Sequence, residues 1–548
     1  MKNFVEFIRN RTTPPQSEPI PDSGQVPNSA GGYAWPVDDW TRLDRFLVLG
    51  SEQGTYYIQE RALTKENAES VIRCIAEDGP RTVARIAEIS QAGRAPKNDP
   101  AIFALALCAT LGNDATKAAA FAALPQVCRT GTHLFHFTAY VDGMRGWGRG
   151  LRQAVAAWYA QPAARLAYQA VKYQQRDGWS HRDLLRLAHP KPADEQHGII
   201  YHWLVKGWEG VGDAPHPDAD VRIIWAFERA KRATSAAEIV RLINEYDLPR
   251  EAIPTAWLDN AEVWAALLAR MPMEAMVRNL ATLTRVGVVA PGSDGTRHVV
   301  AQLANAERVR AARLHPIKVL AALRTYAGGK GVRGQNTWQP VAQVNDALDG
   351  AFYLAFGNIV PSGRRWLLAL DVSGSMQYGT IAGVPGLTPH VGSAAMALIT
   401  AATEPAHTIV AFSAAPGGYG GQWGGGESGI TPIAISPRQR LDDVVRTMEA
   451  IPMGGTDCAL PMIWAARHKV AADVFVVYTD SETWAGAIHP AQALRRYREQ
   501  MGIAAKLIVV GMTSNGFSIA DPEDAGMLDV VGFDTAVPQV MADFAVAD

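Results

Sequence analysis

The 548-residue chain is short of the features that mark several protein classes. No run of about 18 apolar residues occurs, so no span of a membrane helix is expected. The N-terminal stretch MKNFVEFIRNRTT has no apolar core of the signal-peptide kind, and the cytosol is the expected compartment. Only four cysteines are present, Cys74, Cys108, Cys128 and Cys458, widely spaced and with no C-x-x-C pair. That excludes a disulfide scaffold and a zinc ribbon, and it predicts buried free thiols. There is no H-E-x-x-H, no nucleotide-binding fingerprint, no G-K-[ST] and no G-x-S-x-G elbow. The chain is therefore not expected to be an enzyme.

Net charge is also nearly absent, at −2, but its distribution is uneven. Residues 351–548 hold 11 Lys+Arg against 18 Asp+Glu, leaving 41 basic and 36 acidic residues in the first 350. A mildly basic front joined to an acidic back permits a polyanionic partner at the front. Hydrophobic residues make up 48%, enough for large cores, and the length calls for more than one domain.

Three regions follow from local patterning. Residues 1–36, rich in Pro, Ser and Gly, read as a flexible arm. From 37 to 360, apolar residues recur at helical spacing in stretches of about 10 to 15 residues, broken by Gly, Pro, Asn or Asp. ENAESVIRCIAEDGP, PAIFALALCATLGN, AEIVRLINEY and HPIKVLAALRTYAGG are examples. Stacked antiparallel helix pairs, an α-solenoid of HEAT or armadillo type, are the economical arrangement. From 361 to 548, strand-length apolar runs (407–413, 473–480, 505–512, 528–534) alternate with helical stretches (391–403, 438–450, 457–470, 490–501). This alternation predicts a doubly wound α/β sheet, whose sites lie at the carboxyl ends of strands. The glycine-rich insertion 413–429 reads as a surface loop, since no helix follows it directly.

Two places carry candidate chemistry. WLLALDVSGSM (366–376) ends a buried strand with Asp371, Ser373 and Ser375 at alternate positions, so the three side chains can converge on one cation. Carboxylate and hydroxyl oxygens are hard donors, suited to Mg²⁺ first, with Mn²⁺ or Ca²⁺ as alternatives. The run resembles the metal-ion-dependent adhesion site of von Willebrand factor A domains. That resemblance adds Thr456, from GGTD, and Asp480, from YTDSE, as further ligands, direct or through water. Helix caps and turn residues on an α/β fold are the competing reading.

The second place is VKYQQRDGWSHRDLLRLAHPKP (171–192). Lys172 and Arg176 stand four apart and are expected to share a helix face. Ser180 and Asp183 form a capping box that opens a second helix. On that helix Arg182, Arg186 and His189 fall at spacings of 4 and 3, while Trp147, Arg149 and Arg152 lie upstream. Such cations bind phosphates, and aromatic rings stack on unpaired bases. A solvated basic face is the alternative.

Several longer strings resemble the TROVE domain: GSEQGTYYIQE (50–60), CRTGTHLF (128–135), the 172–192 run, MPMEAMVRNL (271–280) and LHPIKVLAALRTYAGGKGVRG (314–334). With DVSGSM, GGTDCALPMIWA (454–465), ADVFVVYTDSET (472–483) and the 504–535 string, they resemble the Ro autoantigen family over roughly residues 40 to 545. The resemblance implies a single-chain ring of helical repeats closed by the A domain. It implies Y RNA bound on the outer surface, single-stranded ends of misfolded RNA in the central hole, and a 3′-to-5′ exoribonuclease as partner. It also carries an RNA-contacting role to Lys172, Arg176 and His189, whereas Arg149, Arg182 and Arg186 are candidates by spacing alone. A metal-dependent protein-interaction scaffold, with RNA incidental, is the rival reading.

Overall fold

The computed structural model describes residues 13–50, 63, 68–210, 214–331, 335–356, 359–378, 381, 387–414, 429–436, 439–451, 454–513 and 515–547. The string at 50–60 and most of the 413–429 loop lie outside the described residues.

Two short strands, β1 (Val26–Pro27) and β2 (Tyr33–Pro36), precede the first described helix, Asp39–Leu49. Helices then follow one another to Ala342–Leu354, interrupted by the hairpin of β3 (Gln175–Arg176) and β4 (Trp179–Ser180). Local sequence sets their starts. Side chains of Asn113, Thr130, Asp194, Ser235, Asn260 and Ser293 each accept a hydrogen bond from the backbone N–H three residues on. At Gly79-Pro80 the expected stop is a break inside Glu69–Ala92. Asp78 is non-helical (φ −150°, ψ 86°), and its carboxylate accepts from the Arg81 N–H to start the helix afresh.

The helical array returns on itself. Arg313 Nη1 donates to the Gln91 carbonyl (2.9 Å), and His315 Nε2 donates to the Arg94 carbonyl (3.0 Å). These bonds join the segment just before the helix Pro316–Ala327 to the C-terminal end of Glu69–Ala92.

The second region is a six-stranded sheet ordered β11-β9-β8-β5-β6-β7. Its members are β5 (Trp366–Asp371), β6 (His407–Phe412), β7 (Ile430–Pro432), β8 (Val474–Thr479), β9 (Lys506–Gly511) and β11 (Met527–Val531). All neighbours are parallel except the edge pair β6–β7. Both faces are covered: Leu367 and Ala369 of β5 pack into one core, Trp366, Leu368 and Leu370 into the other. Burial on both sides explains why these strands read as unbroken apolar runs. The chain passes from one half of the sheet to the other between β5 and β8, the switch point at which a crevice opens. Asp371 and Asp480 stand at that point.

The sheet region grips both ends of the array. Arg45, on the first described helix, is buried and donates to the Asn515 and Phe517 carbonyls (2.6 and 3.1 Å) and to Asp529 Oδ1 (2.6 Å). Arg94 pairs with Asp534 (3.0 Å). From the other end, Asp346 pairs with Arg440, and the Phe352 ring meets Phe533 at 6.4 Å.

One expectation fails. Residues 13–36 are not a flexible arm but lie across the sheet region. β2 pairs antiparallel with β10 (Phe517–Ser518), Trp35 is buried, and Gln16 is buried against Asp457. Composition suggested disorder because the stabilising partners lie more than 400 residues away in sequence.

Candidate nucleic-acid interface and metal centre

The basic segment folds differently from the expected pair of helices. Its first helix, Ala163–Lys172, ends at Lys172, and Arg176 sits in the β3–β4 hairpin. Lys172 and Arg176 therefore do not share a helix face. Asp177 and Gly178 form the turn, both at positive φ (51° and 79°), and the Asp177 carboxylate pairs with His136 Nδ1. The Lys172 ammonium lies 5.5 and 5.4 Å from the Tyr168 and Tyr173 ring centres. Burial lowers its pKa, but the two tyrosines and Glu251 outweigh burial and hold the charge in place.

The second helix, His181–Ala188, opens with the predicted capping box. The Asp183 N–H donates to Ser180 Oγ (3.4 Å), and the Ser180 N–H donates to Asp183 Oδ2 (3.0 Å). Arg182 and Arg186 project from it into solvent. His189 ends the helix as its left-handed cap (φ 48°), exposed and one step beyond the helix. Beneath this surface His181 is fully buried, with Nδ1 2.7 Å from the Tyr159 hydroxyl, and burial drives its pKa down to about 4. It is a neutral core residue.

A stacked pair brings the upstream cations into the same neighbourhood. Trp147 lies on Trp179 with ring centres 5.7 Å apart and planes 23° apart, which sets the start of the helix Arg149–Trp158 beside the hairpin. Arg149, Arg182, Arg186 and Lys191 are exposed, and none has an acidic partner within 4 Å among the described residues. Arg176 is 62% exposed and only 3.8 Å from the Asp177 carboxylate. Several other arginines are matched: Arg73 with Asp39, Arg85 with Asp44, Arg229 with Glu238, Arg365 with Asp473. This surface thus carries several positive charges without acidic partners, and they favour a polyanion there.

The second site forms at the switch point. Asp371 Oδ1 accepts from the Ser373 N–H (2.8 Å), and its Oδ2 accepts from Thr479 Oγ1 (2.6 Å). The Ser373 and Ser375 hydroxyls are 3.1 Å apart. Asp480 Oδ1 accepts from the Glu482 N–H (3.1 Å). Thr456 is buried in the adjoining loop, whose carbonyl receives the Trp484 and Ala485 N–H groups (3.0 and 3.1 Å). Cys458 Sγ, 3.6 Å from Thr479 Oγ1, ties that loop to the β8 end.

The charge balance of this pocket is incomplete. Asp371, Asp480 and Glu482 are 0, 1 and 0% exposed, with no ion pair to Lys or Arg among the described residues. Asp480 Oδ2 and Glu482 Oε1 have no hydrogen-bond partner there. Burial, and then repulsion from Asp480, pushes the Asp371 carboxyl up to about 7 and Glu482 up to about 8. Burial raises Asp480 as well. Buried carboxylates without a counter-charge are costly, and a hard divalent cation is the natural complement. Among the described residues no group of three His, Cys, Asp or Glu is placed to hold a metal, so the fit rests on two carboxylates with hydroxyls. Glu482 and Thr479 were missed in the sequence reading, although both belong to the quoted T-D-S-E string.

Comparison with known proteins agrees with this two-part architecture. Residues 26–325 match the TROVE domain, and residues 365–545 match the Ro60 vWA domain. The chain belongs to the Ro60 family. It is 44% identical to the Deinococcus radiodurans protein named RNA-binding protein RO60, over 100% of this chain and 99% of that one. A Caenorhabditis elegans Ro60 relative, also named an RNA-binding protein, is 36% identical, over 97% of this chain and 92% of its own. The crystal structure of the Deinococcus radiodurans RO (RSR) protein aligns with a TM-score of 0.70 and 43% identity, covering 93% of this chain and 99% of that one. All four cysteines are buried and free, as expected.

Proposed function

We propose that the chain is the RNA-binding core of a ribonucleoprotein. The observation that carries this reading is the surface formed by Arg149, Arg176, Arg182, Arg186, His189 and Lys191, exposed and largely unmatched by acids. The names of its Ro60 relatives support the reading. Guanidinium groups hold phosphates, and His189 adds a base or backbone contact. Lys172 contributes from the edge of this surface. Y RNA on the outer face, single-stranded ends of misfolded RNA inside the closed helical array, and handover to a 3′-to-5′ exoribonuclease complete the proposal. The chain presents RNA without cleaving it, as a single-chain ring in the cytoplasm. In the A domain, Asp371, Ser373, Ser375, Thr456 and Asp480 hold a divalent cation, Mg²⁺ by preference. That cation supplies the positive charge missing from the pocket.

The experiment is direct. The purified protein is expected to carry nucleic acid, seen as a high 260/280 nm absorbance ratio that ribonuclease removes. Nucleic-acid-free protein with no affinity for structured or single-stranded RNA contradicts the proposal. The unpartnered oxygens of Asp480 and Glu482 favour a second reading, in which the A domain engages an acidic protein partner through its cation. Partner loss on adding EDTA, with RNA binding irrelevant, is its signature.

A further inference from the structure

The N-terminal segment reaches the metal loops through one fully used side chain. Gln16 is 0% exposed, and all four of its side-chain hydrogen-bonding positions are occupied. Its Nε2 donates to Asp457 Oδ1 (2.7 Å) and to the Ile488 carbonyl (2.8 Å). Its Oε1 accepts from Thr483 Oγ1 and from the Gly486 N–H (3.3 Å). Asp457 directly follows Thr456, and Thr483 lies three residues beyond Asp480. Gln16 thus bridges two of the three loops that supply candidate ligands.

A second part of the same segment repeats the grip. Asn28 Nδ2 donates to the Thr483 carbonyl (2.7 Å), and the Ala30 N–H donates to Glu482 Oε2 (3.1 Å). The fit is close enough to exclude side chains. A Cβ on Gly32 would stand 2.0 Å from the Thr483 carbonyl oxygen. One on Gly486 would stand 2.3 Å from both Asp457 Oδ1 and Gln16 Nε2.

We infer that Gln16 is a positioning residue for the cation site, and that residues 16–32 form a strap fixing the Thr456 and Asp480 loops in ligating geometry. The inference rests on the cation reading above. Residues that orient ligands without touching the metal commonly change its affinity about 10- to 100-fold. By reciprocity, cation binding then tightens the strap by the same factor.

The test uses the full-length, EDTA-stripped protein titrated with Mg²⁺ by calorimetry, and with Tb³⁺ by luminescence sensitised through Trp484. Gln16→Ala and Asn28→Ala are each expected to weaken cation binding about tenfold while leaving RNA affinity unchanged. Gln16→Glu, which sets a carboxylate against Asp457, is expected to weaken it further. In the wild-type chain, Mg²⁺ is expected to slow hydrogen exchange at Gln16, Ala30 and Gly32, a readout that survives any folding defect of the variants. Wild-type cation affinity in both alanine variants, or strap exchange indifferent to Mg²⁺ that does bind, overturns the strap alone. Absence of Mg²⁺ and Tb³⁺ binding to the wild-type chain, or binding unaffected by Asp371→Ala, overturns the cation reading and the strap with it.

Discussion

Two regions of this chain carry unmatched charge, and they differ in every other respect. Around Arg149, Arg182 and Arg186 the charges are positive, exposed and spread over separate elements. At Asp371, Asp480 and Glu482 they are negative, buried and crowded on loops beside one another. Water solvates an exposed guanidinium at little cost, so the first surface can wait for a large, variable polyanion. A buried carboxylate has only a few hydrogen bonds in place of water, so the second must protonate or take a small cation. The same imbalance therefore points to RNA in one region and to a metal ion in the other.

The contrast can be broken most sharply at Asp371. Asp371→Ala is expected to weaken Mg²⁺ binding by more than ~100-fold, above the range typical of outer positioning residues. Calorimetry checks this, and RNA affinity should not follow. At the basic surface, the triple change Arg149→Ala, Arg182→Ala and Arg186→Ala should lower the slope of log K against log [salt] by about 2–3, because fewer counterions are released.

A pH experiment probes the acidic pocket by itself. Asp371, with a folded pKa of about 7 above its ordinary 3.8, stabilises the metal-free fold below about pH 4. That contribution is lost as pH rises through 7, and Glu482, at about 8, extends the loss. Buried His181, His133 and His315, each held down near 4, add stability as pH rises to 6.5. The thermal midpoint of EDTA-treated protein should therefore fall between about pH 6.5 and 8, and added Mg²⁺ should restore it near pH 8. A midpoint indifferent to Mg²⁺ at pH 8 removes the counter-charge argument. A smaller effect is expected for Lys172→Ala, whose ammonium is half-buried between Tyr168 and Tyr173. It should weaken RNA binding less than Arg186→Ala does. Ser180→Ala should cost about 1 kcal/mol through loss of the cap, measurable by chemical denaturation.

These sites were unequally legible in the sequence. The sheet region read well because its signals are local: each apolar run is a strand, with Asp371 ending one and Asp480 directly following another. The Ser180–Asp183 box was equally plain, since both partners lie within four residues. The Lys172–Arg176 pairing failed because Gln175 and Arg176 pair with Trp179 and Ser180 as a hairpin, ending the helix early. Gln16 and Arg45 were invisible for another reason. Their partners, Asp457 and Asp529, are over 400 residues distant, and the Pro-rich stretch around Gln16 gives no local sign of such burial. Trp147 stands near cations in the sequence, but its stacking on Trp179 is a tertiary fact.

The central claim is that RNA is held by exposed, unmatched arginines rather than through the buried acidic pocket. Its most direct test compares the salt dependence of RNA binding for the wild-type chain and the Arg149/Arg182/Arg186 triple-alanine variant, using one RNA in one buffer. The account predicts a slope reduced by about 2–3 and weaker binding at low salt. An unchanged slope and affinity would contradict it.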